Sequence, residues 1–176
     1  PPEELSRRRR GGFHREDVTV DAELPLPEVR GDCLELSLEI EPGGARECGV
    51  KVRCSPGGEE ETAVLYDAAK GCLRVDFSRS SLNREIVHRT FCMTGSENPP
   101  VTCQEAPFAL KPGEPLRLRV FLDRSILEVF ANERQCITQR IYPERPDSLG
   151  VALLSRGGAM KVRRLDAWKM APTNPW

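Results

Sequence analysis

Residues 116–142 read LRLRVFLDRSILEVFANERQCITQRIY. Leu116, Leu118, Val120 and Leu122 alternate with Arg117, Arg119 and Phe121, and Asp123-Arg124-Ser125 breaks the run. Ile126 to Phe130 resumes a β-branched and aromatic stretch, Asn132-Glu133-Arg134 breaks it again, and Gln135 to Tyr142 makes a third run. Apolar alternation of period two, interrupted by short polar clusters, is the pattern of consecutive antiparallel strands. The segment is therefore expected to form a three-stranded meander.

The pattern continues outward. Leu34 to Ile40 alternates cleanly, with the leucines and Ile40 inward and the acids outward. Pro42-Gly43-Gly44 ends it, and Gly49 to Cys54 pairs back. Thr62 to Asp67 and Cys72 to Phe77 flank a turn at Ala69-Lys70-Gly71. Gly157-Gly158 is read as closing the penultimate hairpin, and Val162, Leu165 and Trp168 as a bulged final strand. Ser80 to Arg89 is read as a loop or short helical turn, and Asn98-Pro99-Pro100 as a stop. Short strands with turns every ~8–12 residues and no long helical period argue for an all-β sandwich or barrel.

The ordered words Phe121-Leu122-Asp123-Arg124-Ser125, Glu128-Val129-Phe130-Ala131-Asn132 and Arg140-Ile141-Tyr142-Pro143 resemble the C-terminal β-sandwich domain of glycoside hydrolase family 32, the invertases, levanases and inulinases. Leu65-Tyr66-Asp67, Leu73-Arg74-Val75-Asp76 and Ser78-Arg79-Ser80 are similar to an earlier strand pair of that domain, with Phe77 intruding. Gly150 to Leu153 and Val162 to Met170 resemble its last strands, and Pro2 to Arg8 its connector from the catalytic propeller. The resemblance implies a two-sheet antiparallel β-sandwich of the lectin-like kind. It divides the chain into a connector over 1–12, the sandwich over 13–171 and a tail over 172–176.

The family's chemistry resembles that of retaining glycosidases, with a nucleophile and an acid/base carboxylate about 5–5.5 Å apart. Its nucleophile sits in an Asn-Asp-Pro stretch and its stabilising Asp in Arg-Asp-Pro. This chain has neither. Glu47-Cys48 matches the family's Glu-Cys acid/base only by coincidence, inside a turn entering a strand. The expectation is a non-catalytic module, with no catalytic residues of its own, packing against a propeller absent from the chain. One contiguous apolar patch, on the connector side, would mark the contact and favour self-association. The competing class is an independent lectin-like carbohydrate- or protein-binding sandwich.

Twenty-six basic and 27 acidic residues leave a net charge of -1, which favours no polyanionic partner. The run Arg7 to Arg10 is read as a solvated linker rather than a nucleic-acid contact. No apolar run reaches the ~20 residues of a membrane span. Seven cysteines without a Cys-x-x-Cys pair, and two histidines, His14 and His88, give no metal-ligand spacing and no cofactor motif. Most cysteines are read as small buried hydrophobes, with Cys48–Cys54 or Cys92–Cys103 as the alternative pairings of one disulfide. The odd count leans towards a reducing, cytoplasmic compartment, while a removed leader would fit secretion.

The residues singled out are Asp123, Arg124, Ser125, Glu128, Phe130 and Asn132, as structural motif positions. Asp123 to Ser125 is read as a hairpin corner rather than a sugar-reading triplet, and Asn132 as a left-handed turn residue. Arg117 and Arg119 are expected to pair with acids on a neighbouring strand, such as Glu128. Trp168 is read as core or interdomain packing rather than a sugar-stacking platform.

Overall fold

A half-buried strand needs hydrogen-bonding neighbours at its edges and an apolar layer against one face. The computed structural model, which describes residues 3–89 and 99–172, meets both needs with two six-stranded antiparallel sheets packed face to face. Sheet A holds, in spatial order, β1 (Arg9–Val20), β12 (Met160–Met170), β3 (Cys33–Glu41), β8 (Leu116–Asp123), β9 (Ile126–Ala131) and β10 (Gln135–Arg140). Sheet B holds β2 (Glu23–Arg30), β11 (Gly150–Arg156), β4 (Glu47–Cys54), β5 (Glu61–Asp67), β6 (Cys72–Arg79) and β7 (Cys103–Pro107). A 3-10 helix, Glu3–Arg8, precedes β1.

The meander forms as expected: β8 pairs with β9 and β9 with β10. The core follows from its register. Leu34, Leu36, Leu38 and Ile40 of β3 stand opposite Leu122, Val120, Leu118 and Leu116 of β8. Val120 and Leu122 in turn face Val129 and Leu127. None of these ten side chains is more than 2% exposed. Sheet B supplies the other half of the core from Val50, Val52, Val64, Leu73, Val75 and Leu153. Full burial of each such side chain stabilises the fold by about 1.5–3 kcal/mol.

The reading from sequence misses β2 and β7. The β2 segment, ELPLPEVR, contains Pro25 and Pro27, which argue against a central strand. It lies at the edge of sheet B, where a missing N–H costs no ladder bond. β7 is the opposite edge, five residues long and almost wholly exposed, so it carries no inward alternation. Gly157-Gly158 does not close a hairpin. It carries the chain from β11 in sheet B to β12 in sheet A. Gly158 lies at φ 147°, and a Cβ there would sit 2.2 Å from the Gly44 carbonyl oxygen.

Two bulges adjust the faces. β6 gains a residue against β5 between the pairs Ala63–Asp76 and Glu61–Arg79, which accommodates the intruding Phe77 as a buried core side chain. In β12 the register against β3 shifts between Val162 and Arg164. β1 stays in step with β12 through that point, and its Asp17 takes φ 54°. Val162 and Leu165 thus both face the core, and Trp168, three residues further on, faces outward opposite Glu35. Trp168 is not a core residue.

At one end of the sandwich a buried carboxylate ties the loops together. Glu60 is 0% exposed and accepts bonds from the N–H groups of Leu82 (2.9 Å), Glu144 (2.8 Å) and Arg145 (3.1 Å) and from the Ser148 hydroxyl (2.6 Å). It thereby holds the turn-containing loop 81–89, which has no helix, and the loop after β10. Burial pushes its pKa up, but Ser148 and the three N–H groups outweigh that and hold it below the usual 4.5.

Replacing Glu60 with Ala should cost about 3–4 kcal/mol in urea unfolding at neutral pH, because it orphans several buried donors. The lowered pKa makes this stabilisation complete above the ordinary carboxylate value and lost as the pH falls through the folded value. The Glu60→Ala penalty should therefore shrink on acidification, and a penalty that stays constant down to acid unfolding would contradict the assignment. Gly158→Ala should lower Tm by several degrees through the close approach to Gly44, whereas Gly44→Ala, whose Cβ would meet nothing within 4 Å, should not.

Candidate functional site

The outer face of sheet A departs from a plain solvated surface. Glu35 points to this face from near the start of β3, yet it is 0% exposed. Arg9 binds it in bidentate fashion, Nε to Oε2 at 2.8 Å and Nη2 to Oε1 at 2.6 Å, and Arg119 Nε reaches Oε1 at 2.8 Å. The Arg9 guanidinium lies 3.8 Å from the centroid of the Trp168 ring, and Arg119 lies 5.0 Å from that of Phe121. Burial alone would raise the Glu35 pKa, but Arg9 and Arg119 outweigh it and hold the carboxyl below its usual range. Glu35 in turn raises the pKa of Arg9. Arg9, read from sequence as part of a solvated linker, is the first residue of β1 and is locked to the sheet.

Arg117 and Arg119 take their acids from β3, not from Glu128 of β9: Arg117 pairs with Glu39 at 3.3 Å and Arg119 with Glu35. Sequence periodicity places these charges outward but does not say which flanking strand supplies the partner. Glu128 is exposed and stands opposite Phe121. Phe130 is half-buried, edge-on to Phe121 with ring centroids 6.2 Å apart.

Asp123 and Ile126 are paired across a two-residue turn, with Arg124 at φ 53°. Arg124 N–H donates to the Asp32 carbonyl (2.8 Å), the Arg124 carbonyl accepts from Arg53 Nη1 (3.1 Å), and the Ser125 carbonyl accepts from Ile141 N–H (2.8 Å). The triplet is tethered through its backbone to three other segments. Asn132, at φ 48°, accepts from Arg117 N–H (2.7 Å) and donates to the Glu114 carboxylate (3.0 Å) and the Pro115 carbonyl (2.9 Å).

Sheet B's outer face is also an ion-pair surface. Glu47, the first residue of β4, binds Arg74 (3.2 Å) and Arg156 (3.0 Å), and buried Lys51 binds Glu23 (2.6 Å) and Glu61 (2.8 Å). Cys48 and Cys54 are free thiols rather than a disulfide, and burial pushes both up to about 12, which leaves them unreactive. Cys92 lies outside the described residues. Of the six described cysteines only Cys48 and Cys72 are buried, so most are not core hydrophobes.

The expected apolar patch on a sheet is absent among the described residues. The large apolar side chains left exposed there are Leu82 (45%), Val87 (49%) and Ile126 (37%). All three lie at the end of the sandwich that also holds the β8–β9 turn and Glu60. The connector leaves from this end too: Leu5 and Arg8 share a groove with Asp123 and Arg124, and Ala171 N–H donates to the Arg8 carbonyl at 2.9 Å.

This geometry can be set beside known proteins. A levanase from Bacillus subtilis is 38% identical over 139 residues, which cover 77% of this chain and 18% of the levanase. A fructan 6-exohydrolase from Triticum aestivum is 38% identical over 140 residues, 74% of this chain and 22% of the exohydrolase. The chain thus spans about a fifth of the length of these relatives. The fold is shared with the crystal structure of fructan 1-exohydrolase IIa from Cichorium intybus, at 18% identity and a TM-score of 0.78 over 97% of this chain and 37% of that one. The family model described as "Glycosyl hydrolases family 32 C terminal" matches residues 4–169, from the 3-10 helix to the end of β12, and the chain therefore belongs to the family of glycosyl hydrolase family 32 C-terminal domains.

Proposed function

We propose that this chain is the non-catalytic C-terminal module of a sucrose- or fructan-hydrolysing enzyme, and that it packs against and stabilises a catalytic β-propeller. One observation carries the reading: the connector and the three exposed large apolar side chains share one end of the sandwich. A domain joined through residues 1–8 would meet that end first. Interdomain contacts within a chain are more polar than obligate interfaces, which fits a small apolar cluster among charged loops.

The electrostatics support a module without its own glycosidase chemistry. A general acid needs a carboxyl held protonated near neutral pH, by burial or by a like charge. Every described carboxyl with a resolved shift moves the other way: Asp17, Glu35, Glu59, Glu60, Glu114, Asp147 and Asp166 are all lowered, each by a nearby donor or cation. Glu47, whose Glu-Cys match to the family's acid/base is coincidental, is held between two arginines.

Supplying the propeller of the same protein in trans should raise the module's Tm. A partner at about a hundred times its Kd adds about 2.7 kcal/mol, which for a domain of this size is roughly 5–10 °C. Ile126→Asp should leave the isolated module's Tm nearly unchanged and remove most of that gain. The purified chain should not turn over sucrose, inulin or levan. A propeller-independent Tm, or turnover abolished by one carboxylate substitution, would overturn the reading.

A further inference from the structure

The ion pairs on the outer face of sheet A enclose an open pit of about 560 Å³. Its origin is a difference in side-chain length. Ser37 stands at the middle of β3, between Asp166 of β12 and Arg119 of β8. Longer side chains, Arg117, Arg119, Arg164, Phe130 and Trp168, line the pit around the short hydroxymethyl group. The volume falls in the range of small-molecule sites, about 300–1,000 Å³.

The lining selects a ligand class. Arg9, Arg117, Arg119 and Arg164 line the pit with Glu39, Glu133 and Asp166, and buried Glu35 lies beneath Arg9 and Arg119 as the fourth carboxylate, so these charges balance. An anion would meet as much repulsion as attraction there. An apolar ligand would strip water from the ion pairs and return no hydrogen bonds. A polyhydroxyl ligand loses neither way. The Arg117–Glu39 and Arg164–Asp166 pairs each offer a donor and an acceptor side by side, which is what adjacent hydroxyls require. The half-buried rings of Trp168 and Phe130 supply apolar walls for the C–H faces of a sugar. The walls are also preorganised, because Trp168 is held under Arg9 and Phe130 against Phe121.

We propose that this pit binds a neutral oligosaccharide. The inference does not depend on the propeller-docking reading, which uses the end of the sandwich rather than this face.

The test is titration calorimetry on the isolated chain with 1-kestose, inulin, levan and a cello-oligosaccharide. At least one should bind saturably, with a Kd on the order of 1 mM. Ser37→Trp, which fills the floor, should weaken that binding at least tenfold. Arg117→Ala, at a rim position 61% exposed, should weaken it about fivefold, with the thermal melt little changed because exposed ion pairs contribute little stability. Lys70→Ala, whose partner Glu105 lies on sheet B, should leave it unaltered. No saturable binding of any probe up to about 10 mM, or binding indifferent to both Ser37→Trp and Arg117→Ala, would overturn the proposal and leave the module assignment standing.

Discussion

The register of β3 against β8 is the constraint on which the other features rest. The two strands are the inner pair of sheet A, and Ile40 opposite Leu116 through Leu34 opposite Leu122 forms one apolar ladder. Side chains alternate with period two, so a slip of β3 by one residue would turn its four apolar side chains outward and bring Glu35, Ser37 and Glu39 into the core. The same register that builds the core also aligns Glu35 with Arg119's reach and Glu39 with Arg117's. Core and outer face are two readings of one hydrogen-bond ladder.

The outer faces show how the chain covers two sheets with few large apolar residues. Both are tiled with ion pairs, and three buried charges, Glu35, Glu47 and Lys51, each have two opposite-charge partners. Replacing such a group together with its partners costs less than removing the partners alone, because a lone buried charge is the expensive state. These pairs specify the arrangement of strands more than they add to its stability. The proposed docking end is small in apolar area, and its loop side chains such as Leu82 and Val87 need not serve the core.

Legibility in the sequence followed burial. The meander and Leu34–Ile40 were readable because one face of each is wholly apolar. β2 and β7 were not, since edge strands owe their place to a neighbour's unpaired backbone and carry no such alternation. The Asp123–Ser125 corner and the Asn132 turn were readable from local turn chemistry. Glu35 was not: an acid in an alternating strand reads as solvated, and only the fold brings Arg9 and Arg119, 26 and 84 residues away, over it. The core alternative for Trp168 fails because its three-residue spacing from Leu165 repeats that of Val162, while the chain holds a bulge in the first interval and not in the second.

That bulge has a consequence for how such a chain changes length over time. β1 and β12 keep one register across it, and both shift phase together against β3. The pair behaves as a single ribbon laid on the rest of the sheet. Losing one residue at Arg163 alone would leave Asp17 without its counterpart and set Val18 and Val162 out of phase. A tolerated deletion in β12 therefore has to be matched by one in β1, about 145 positions earlier in the chain, so insertions and deletions at these two sites are expected to occur together or not at all.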